Sequence, residues 1–569
     1  MSGIKKLRAG LLSCVCAAAL AVPANAEVIP IEKDKLWAIA PETETLSAAI
    51  NINDENAMFP ARRELLGGQA EIMYQADSFL EVGTTELQQE WKDFAQNIYK
   101  FPVIRMGGAE TESTSLIRNI GPTAQRKASE FSGGDPMVDY DSGRPPARLG
   151  PLEFVKWAKS INPDFAYLVN VSMRYASPEE NAQYAAFLTH RPGESEWGAL
   201  RAAYGMPEPV KVFAFELGNE IDCNIPGYRA GEGEIWGFNQ KILDWYAETA
   251  AKHIAAIREL CPNAVFMGCG KTAPWGDGMD GASVALWTEG VISSIGKDLK
   301  YLSFHPYYDG MPIAYMDMCI DTMTEIIDRV LGPDSGVELM MTEHARYGGG
   351  PSDTSGSMIN FFAALSTAQF FNRLQARANV AGATFHAIAN NQTSIWSIVY
   401  RWDGVWHDGV IDKMFHVYGA GMGDRVMEAN IDSGGAAFTD VASAECRLTV
   451  AANAEGDHTL KLILVNGMEN TGVDLDFNFK NTYTLIEETV FTAPNFSSFV
   501  YDGASKDIAS AVTTAKNESG FRSYHMPAKS LVTLTLETKS RLPQIGEGSG
   551  AEAGGAEDLS GAEPGFPDL

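Results

Sequence analysis

The sequence predicts a (β/α)8 barrel followed by a smaller β-sandwich. Three observations carry this reading. Short apolar runs alternate with amphipathic helical segments from about residue 46 to residue 430, which implies parallel βαβ units. Two of those runs end in a carboxylate, Glu220 and Glu343, and barrel enzymes keep their chemistry at strand tips of this kind. Beyond residue 430 the helical period stops. Strand-length runs separated by Gly, Asn, Asp and Pro take over.

Taken in order, residues 27–45 are a lead-in with strand-like pieces that could add to the sandwich. Leu46 to Ile52 alternates and is expected as the first barrel strand. Leu87, Trp91, Phe94 and Ile98 recur at helical spacing, so 85–99 is expected as a helix. Val103 to Met106 then leads into Gly107 and Gly108. A helix from Pro151 to Ser160 uses proline where its missing N–H costs nothing, and Ala166 to Val171 follows as a strand. Val212 to Leu217 is a buried strand that breaks at Gly218-Asn219-Glu220. A helix over about 234–260 stops at Pro262, and Ala264 to Gly268 is the next strand. Tyr301 to Phe304 leads into His305-Pro306-Tyr307-Tyr308. Met316, Ile320, Met323, Ile327 and Val330 mark a helix before the strand at 337–342. A helix over about 357–378 and a strand from Ala383 to Ile388 complete eight strands. A doubly wound open sheet is the alternative, but no GxGxxG follows a first strand.

The domains expected are therefore a barrel over 46–430 and a sandwich over 431–540. The sandwich strands are expected at 446–451, 460–465, 473–479, 484–491 and 530–536. An acidic tail rich in Gly, Ala and Glu over 541–569 is expected to be disordered. Residues 1–26 read as a signal peptide. Lys5, Lys6 and Arg8 precede an apolar Gly10 to Val22, and Ala24-Asn25-Ala26 is a small-residue cleavage site. Export to the periplasm or the exterior follows, with cleavage near Ala26. No later stretch is long and apolar enough for a membrane span.

The 569 residues carry a net charge of −29, and losing those three bases and no acids takes it to −32. So acidic a chain argues against nucleic-acid binding. The five cysteines beyond the signal, Cys223, Cys261, Cys269, Cys319 and Cys446, are scattered and contain no CxxC. That pattern argues against a disulfide scaffold and a zinc ribbon, while one disulfide stays open.

Two carboxylates at strand tips suit glycoside hydrolysis. One hands a proton to a poor leaving group, and the other attacks a carbon that becomes cationic. Glu220 is the expected acid/base and Glu343 the expected nucleophile. Asn219, beside the acid, is expected to hydrogen-bond a sugar hydroxyl. Retention requires the two carboxyl groups about 5–5.5 Å apart, whereas about 8 Å favours inversion. Arg105 either binds substrate or braces Glu343. Trp396, Trp402 and Trp406 with Tyr400 either stack on sugars or anchor a loop. Glu216, four residues before Glu220, is expected deeper on the same strand. Other motifs fail. Gly270-Lys271-Thr272 lacks the first glycine of a phosphate loop, and neither HExxH nor GxSxG is present.

Here the chain resembles a known group. FELGNEID at 215–222 is similar to the acid/base segment of clan A retaining glycosidases, α-L-arabinofuranosidases and heparanase-like β-glucuronidases above all. MMTEHARYGGG at 340–350 is similar to their nucleophile segment, and FHPYY at 304–308 resembles the His-x-Tyr after their sixth strand. IRMGGAE at 104–110 is closer to the heparanase type and departs from the arabinofuranosidase pattern, which has an Asn after the glycines. NNQTSIW at 390–396 is closer to the arabinofuranosidases. The resemblance implies that His305 and Tyr307 orient the nucleophile or the sugar, and that neither cofactor nor metal is needed.

The expectation is thus an exported retaining glycoside hydrolase acting on a plant, algal or other polysaccharide or its oligosaccharides, most like an α-L-arabinofuranosidase. A heparanase-like β-glucuronidase or another clan A enzyme is the alternative. A non-catalytic carbohydrate-binding protein, or a metal-dependent barrel hydrolase, is the alternative from another class.

Overall fold

The apolar runs do pair side by side as parallel strands. The computed structural model describes residues 46–70, 79–108, 111–126, 148–222, 238–272, 281–308, 313–346, 359–389, 397–402, 404–432, 448–498 and 509–546. In chain order the first strands are β1 (Leu46–Pro60), β2 (Gly67–Ala70), β3 (Val103–Met106), β4 (Ala166–Val171) and β5 (Val212–Leu217). They are followed by β6 (Phe266–Gly268), β7 (Tyr301–Phe304), β8 (Tyr307–Tyr308), β9 (Glu338–Arg346) and β10 (Val380–Phe385). The hydrogen-bonded order is β10-β2-β3-β4-β5-β6-β7-β9, and β10 also pairs with β9, so eight parallel strands close into a barrel. β8 continues β7 beyond Pro306 and pairs with the end of β9.

Alternation along these strands sets the barrel interior in layers. Val103, Leu168, Ala214 and Met340 fill one layer with apolar side chains. Two residues further along the same strands stand Arg105, Asn170, Glu216 and Thr342, all buried. A period of two keeps them on the same face, so the interior turns from apolar to charged toward the C-terminal ends of the strands.

Leu46–Ile52 is not the first barrel strand. β1 pairs antiparallel with β13 (Arg425–Asp432) and parallel with β16 (Val473–Asn478), both in the second sheet. The barrel starts instead at β2, Gly67-Gly68-Gln69-Ala70, which carries no β-branched or aromatic residue for a pattern to detect. Glycine is needed there: a Cβ on Gly67 would stand 2.6 Å from the Ala383 carbonyl oxygen, and one on Gly68 2.5 Å from the Ile388 side chain.

The remaining strands are β11 (Val399–Trp402) and β12 (Val405–Asp408), a hairpin, and then β14 (Leu448–Glu455), β15 (Thr459–Asn466), β17 (Tyr483–Thr492), β18 (Ser510–Ser519), β19 (Ser523–Met526) and β20 (Ser530–Thr538). The second sheet runs β18-β17-β20-β15-β14-β13-β1-β16-β19. Ile50 and Phe477 share a core with Leu462, Leu485 and Leu534, from strands far apart in that order. The sheet therefore curls over its own apolar face. The five strands expected after residue 445 are present, and β13, β18 and β19 join them. Helix Phe361–Gln375 docks this sheet on the barrel, where Asn372 Nδ2 donates to Thr449 Oγ1 at 3.0 Å and to the Ile463 carbonyl at 3.2 Å.

Cys261, Cys269 and Cys319 are buried free thiols, while Cys223 and Cys446 lie outside the described residues. So do the signal segment, the lead-in at 27–45 and most of the acidic tail. No helix among the described residues is long and apolar enough to cross a membrane.

The glycine requirement at β2 is testable. Gly67→Ala must push against backbone and is expected to destabilise by about 1–3 kcal/mol, the usual cost of overpacking. Gly193→Ala, with open space around its Cβ, is expected to stay within about 0.5 kcal/mol of the parent. Urea midpoints of the two variants would decide, and equal midpoints would refute the close approach.

Candidate active site

The charged layer of the barrel is built on one side chain. Arg105, from β3, is fully buried. Its Nε donates to Glu216 Oε2 at 2.6 Å, its Nη1 to Glu343 Oε1 at 2.8 Å and its Nη2 to Asn219 Oδ1 at 2.7 Å. Of the two roles open to Arg105, bracing is the one its geometry serves. Asn170 Nδ2 also donates to Glu216 Oε2, at 3.1 Å.

Glu343 lies on β9 and is 5% exposed. Besides Arg105, Gln69 Nε2 donates to its Oε1 at 3.2 Å, and the Tyr307 hydroxyl donates to its Oε2 at 2.7 Å. Burial alone would raise this carboxyl. The charges of His305 and Arg105, with the Tyr307 bond, outweigh burial and hold it well below the usual carboxylate range.

Glu220 follows the end of β5, and its side chain is 20% exposed. Two positive φ angles turn the chain there, +91° at Gly218 and +48° at Glu220. Glu220 is thus not a continuation of the strand that carries Glu216, although Glu216 does lie beneath the site. A left-handed non-glycine residue costs on the order of 1–3 kcal/mol and persists only where its surroundings over-determine it. The surroundings here are specific. The Asn219 amide N–H donates to Glu112 Oε1 at 2.9 Å. Asp222 accepts from Lys271 Nζ at 2.5 Å and from Thr272 Oγ1 at 2.8 Å. Lys271 and Thr272, which resemble part of a phosphate loop in sequence, serve here to pin the segment after Glu220.

His305 joins the two carboxylates. Its Nδ1 is 3.0 Å from Glu220 Oε1 and 3.8 Å from Glu343 Oε2, and its Nε2 is 2.9 Å from Thr342 Oγ1. Burial pulls the imidazole down, but the Glu343 charge and the bond to Glu220 outweigh it and raise it above the ordinary histidine range. Both ring nitrogens thus have an oxygen partner, Glu220 on one side and Thr342 on the other. One oxygen of Glu220, one of Glu343 and one His305 nitrogen lie within 4.8 Å of one another. That spacing would also accept a metal ion. The charges fit one poorly, since Arg105 already directs its positive charge at Glu343.

Sequence reasoning passed over three supporting residues: Gln69, Glu112 and Thr342. Gln69 sits on the unrecognised strand β2. Glu112 lies in the turn Thr111–Ser113, and burial pushes its carboxyl up to about 7 against the pull of Arg174 and of backbone N–H groups. No spacing rule reaches a residue that acts across 107 positions. Of the aromatic loop, Trp406 is buried with its ring stacked on Phe79 at 4.9 Å, a core anchor. Tyr400 is buried as well. Trp396 and the Trp402 side chain lie outside the described residues.

No family model matches the chain. It is similar to the intracellular exo-α-(1→5)-L-arabinofuranosidase of Acetivibrio thermocellus, 26% identical over 163 residues, which are 29% of this chain and 29% of that protein. A protein of the same name from Streptomyces lividans is 24% identical over 252 residues, 40% of this chain and 35% of that one. The matches thus span well under two thirds of these curated relatives. Among solved structures, an α-L-arabinofuranosidase from Thermotoga maritima superposes with a TM-score of 0.67 at 16% identity, over 86% of this chain and 100% of that one. The GH51 arabinofuranosidase of Xanthomonas axonopodis pv. citri gives 0.66 at 17% identity, with the same coverage. At such identities the structures establish a shared fold, barrel and second sheet together.

The guanidinium makes a prediction independent of activity. Arg105→Met removes the ion-pair partner of buried Glu216 and one of the charges that hold Glu343, and is expected to cost about 3–5 kcal/mol in urea unfolding at pH 7. Because the folded state lowers the Glu343 carboxyl, the stability it contributes is present above the unfolded carboxylate range, near pH 4.3, and is lost as pH falls below it. Removing Arg105 raises that carboxyl, so the loss on acidification should shrink in the variant. An unchanged midpoint and an unchanged pH slope would remove Arg105 from this role.

Proposed function

We propose that the chain is a retaining glycoside hydrolase of the α-L-arabinofuranosidase kind. The single observation that carries this reading is the approach of a Glu220 oxygen and a Glu343 oxygen to within 4.8 Å. Retention needs carboxyl groups about 5–5.5 Å apart, and inversion needs room for a water between them. The likeness to proteins named as arabinofuranosidases supports the same chemistry.

In this reading Glu343 attacks the anomeric carbon, since Arg105 and Tyr307 keep it ionised, while Glu220, the more exposed carboxyl, protonates the leaving oxygen. Glu220 then takes a proton from the water that releases the sugar. His305, anchored on Thr342, keeps the two carboxyls in register. Asn219 presents its amide nitrogen to a sugar hydroxyl, its oxygen being held by Arg105. A polysaccharide or its oligosaccharides is the proposed substrate. The signal-like residues 1–26 support export, and in this the chain would differ from relatives that are named intracellular.

Hydrolysis of a panel of 4-nitrophenyl glycosides tests the reading: α-L-arabinofuranoside, β-D-xyloside, β-D-glucuronide and β-D-galactoside. The arabinofuranoside is expected to turn over with a first product of retained configuration by NMR. Glu343→Ala is expected to abolish turnover. Glu220→Ala is expected to lower it by about 10²–10⁴-fold on poorly activated substrates. Turnover of the glucuronide alone would move the assignment to the β-glucuronidase reading. Sugar binding without turnover on any member, or on polysaccharides, would leave a non-catalytic binding protein.

A further inference from the structure

Glu112 is 2% exposed, and both of its carboxyl oxygens face donors. Oε1 accepts the Asn219 N–H at 2.9 Å. Oε2 accepts the N–H groups of Met173 and Arg174 at 3.0 and 3.2 Å. The Ser172 hydroxyl adds a long contact to Oε2 at 3.4 Å. A single side chain thus ties the exits of β4 and β5 to the loop after β3. Only an acceptor at both oxygens fits such a ring of donors. A glutamine would turn its own NH2 against a backbone N–H on one side.

The peptide held by Oε1 is Gly218–Asn219, which leads into Glu220, whose φ of +48° needs external support. Asn219 is fixed at its side chain by Arg105 of β3 and at its backbone by Glu112 of the turn after β3. A buried carboxylate is expensive in an interior, and a neutral residue would fill the volume at less cost. The bonds it makes all converge on the segments that frame Glu220.

We propose that Glu112 is a positioning residue for Glu220, acting through the Asn219 peptide to aim the acid/base carboxyl at the leaving oxygen. The proposal rests on the glycosidase reading. It does not place Glu112 in contact with substrate. It concerns proton delivery to the leaving group, a step whose importance grows as the leaving group becomes poorer.

The test compares kcat/KM over aryl glycosides of the sugar that the wild type hydrolyses, from 2,4-dinitrophenyl to unsubstituted phenyl. Wild type, Glu112→Gln, Glu112→Asp and Glu220→Ala are measured side by side. Misaiming by about 1 Å can cost on the order of 10²-fold. Glu112→Gln is therefore expected to lose about that much on the phenyl glycoside and to stay near wild type on the dinitrophenyl one, which departs without a proton. Glu220→Ala should show the same pattern more steeply. Glu112→Asp, a carboxyl one methylene shorter, should recover part of the loss. The ratio between two substrates on one preparation is independent of how much of it is folded, and Glu112→Asp carries the comparison should the glutamine variant not fold. An equal loss on both glycosides, or no loss, overturns the proposal while leaving the glycosidase reading intact. No turnover of any glycoside by the wild type removes that reading and this proposal with it.

Discussion

Three nitrogens of one buried guanidinium hold the two halves of the site in register. Glu216 and Asn219 come from the end of β5, Glu343 comes from β9, and Arg105 binds all three. A cation with no exposure must find compensating charge nearby, or the desolvation it suffers goes unanswered. Glu216 supplies that compensation from below, with its second partner Asn170. Glu343 is then not the sole counterion of Arg105, which suits the nucleophile role proposed for it. Its negative charge sits against an arginine whose own neutralisation does not depend on it alone. Arginine suits this place better than lysine, because a planar fork reaches three fixed acceptors in one plane of directions.

The fold explains why the arrangement is affordable only at one end of the barrel. Val103, Leu168, Ala214 and Met340 close the opposite end with apolar volume, and two residues along the same strands the interior becomes ionic. Closure of β10 on β2 brings Gln69 against Glu343. That approach requires the bare backbone of Gly67 and Gly68, since any Cβ there would meet the neighbouring strand or the segment after β10. The second sheet takes β1 from the chain start and packs on helix Phe361–Gln375. It supports the barrel from outside and supplies none of the carboxylate partners described here.

Much of this was legible in the sequence. Seven of the eight barrel strands announce themselves as apolar runs, and Asn219-Glu220 and Glu343 stand at two of their tips. The eighth strand did not, because periodicity detects side chains and Gly67-Gly68 has none to show. Leu46–Ile52 took its place on the strength of an alternation that is real but belongs to another sheet. β18 was missed for the opposite reason: nearly every residue in it is exposed, so it has no buried face to alternate. Glu216 was placed beneath Glu220 by counting along one strand, and it is there, although the strand ends before Glu220. The aromatic loop was ambiguous because a ring that stacks on sugar and a ring that anchors a hairpin have the same composition. Packing of Trp406 on Phe79 resolves that one ring as an anchor.

What sequence could not reach is how two glutamates acquire different characters. Glu220 follows an apolar strand and Glu343 lies within one, and neither carries its environment with it. Glu343 meets a guanidinium, an amide and a phenol that converge from β3, β2 and the segment after β7. Glu220 stands on a backbone turned out of the strand by two positive φ angles, with its side chain 20% exposed. One carboxyl buried among donors and one more exposed suit the acid–nucleophile pair proposed for them. The difference between them is therefore made by the turn at Gly218, by the positive φ at Glu220 and by the donors that maintain it. Changes to those donors should alter how a proton is delivered before they alter whether the barrel folds.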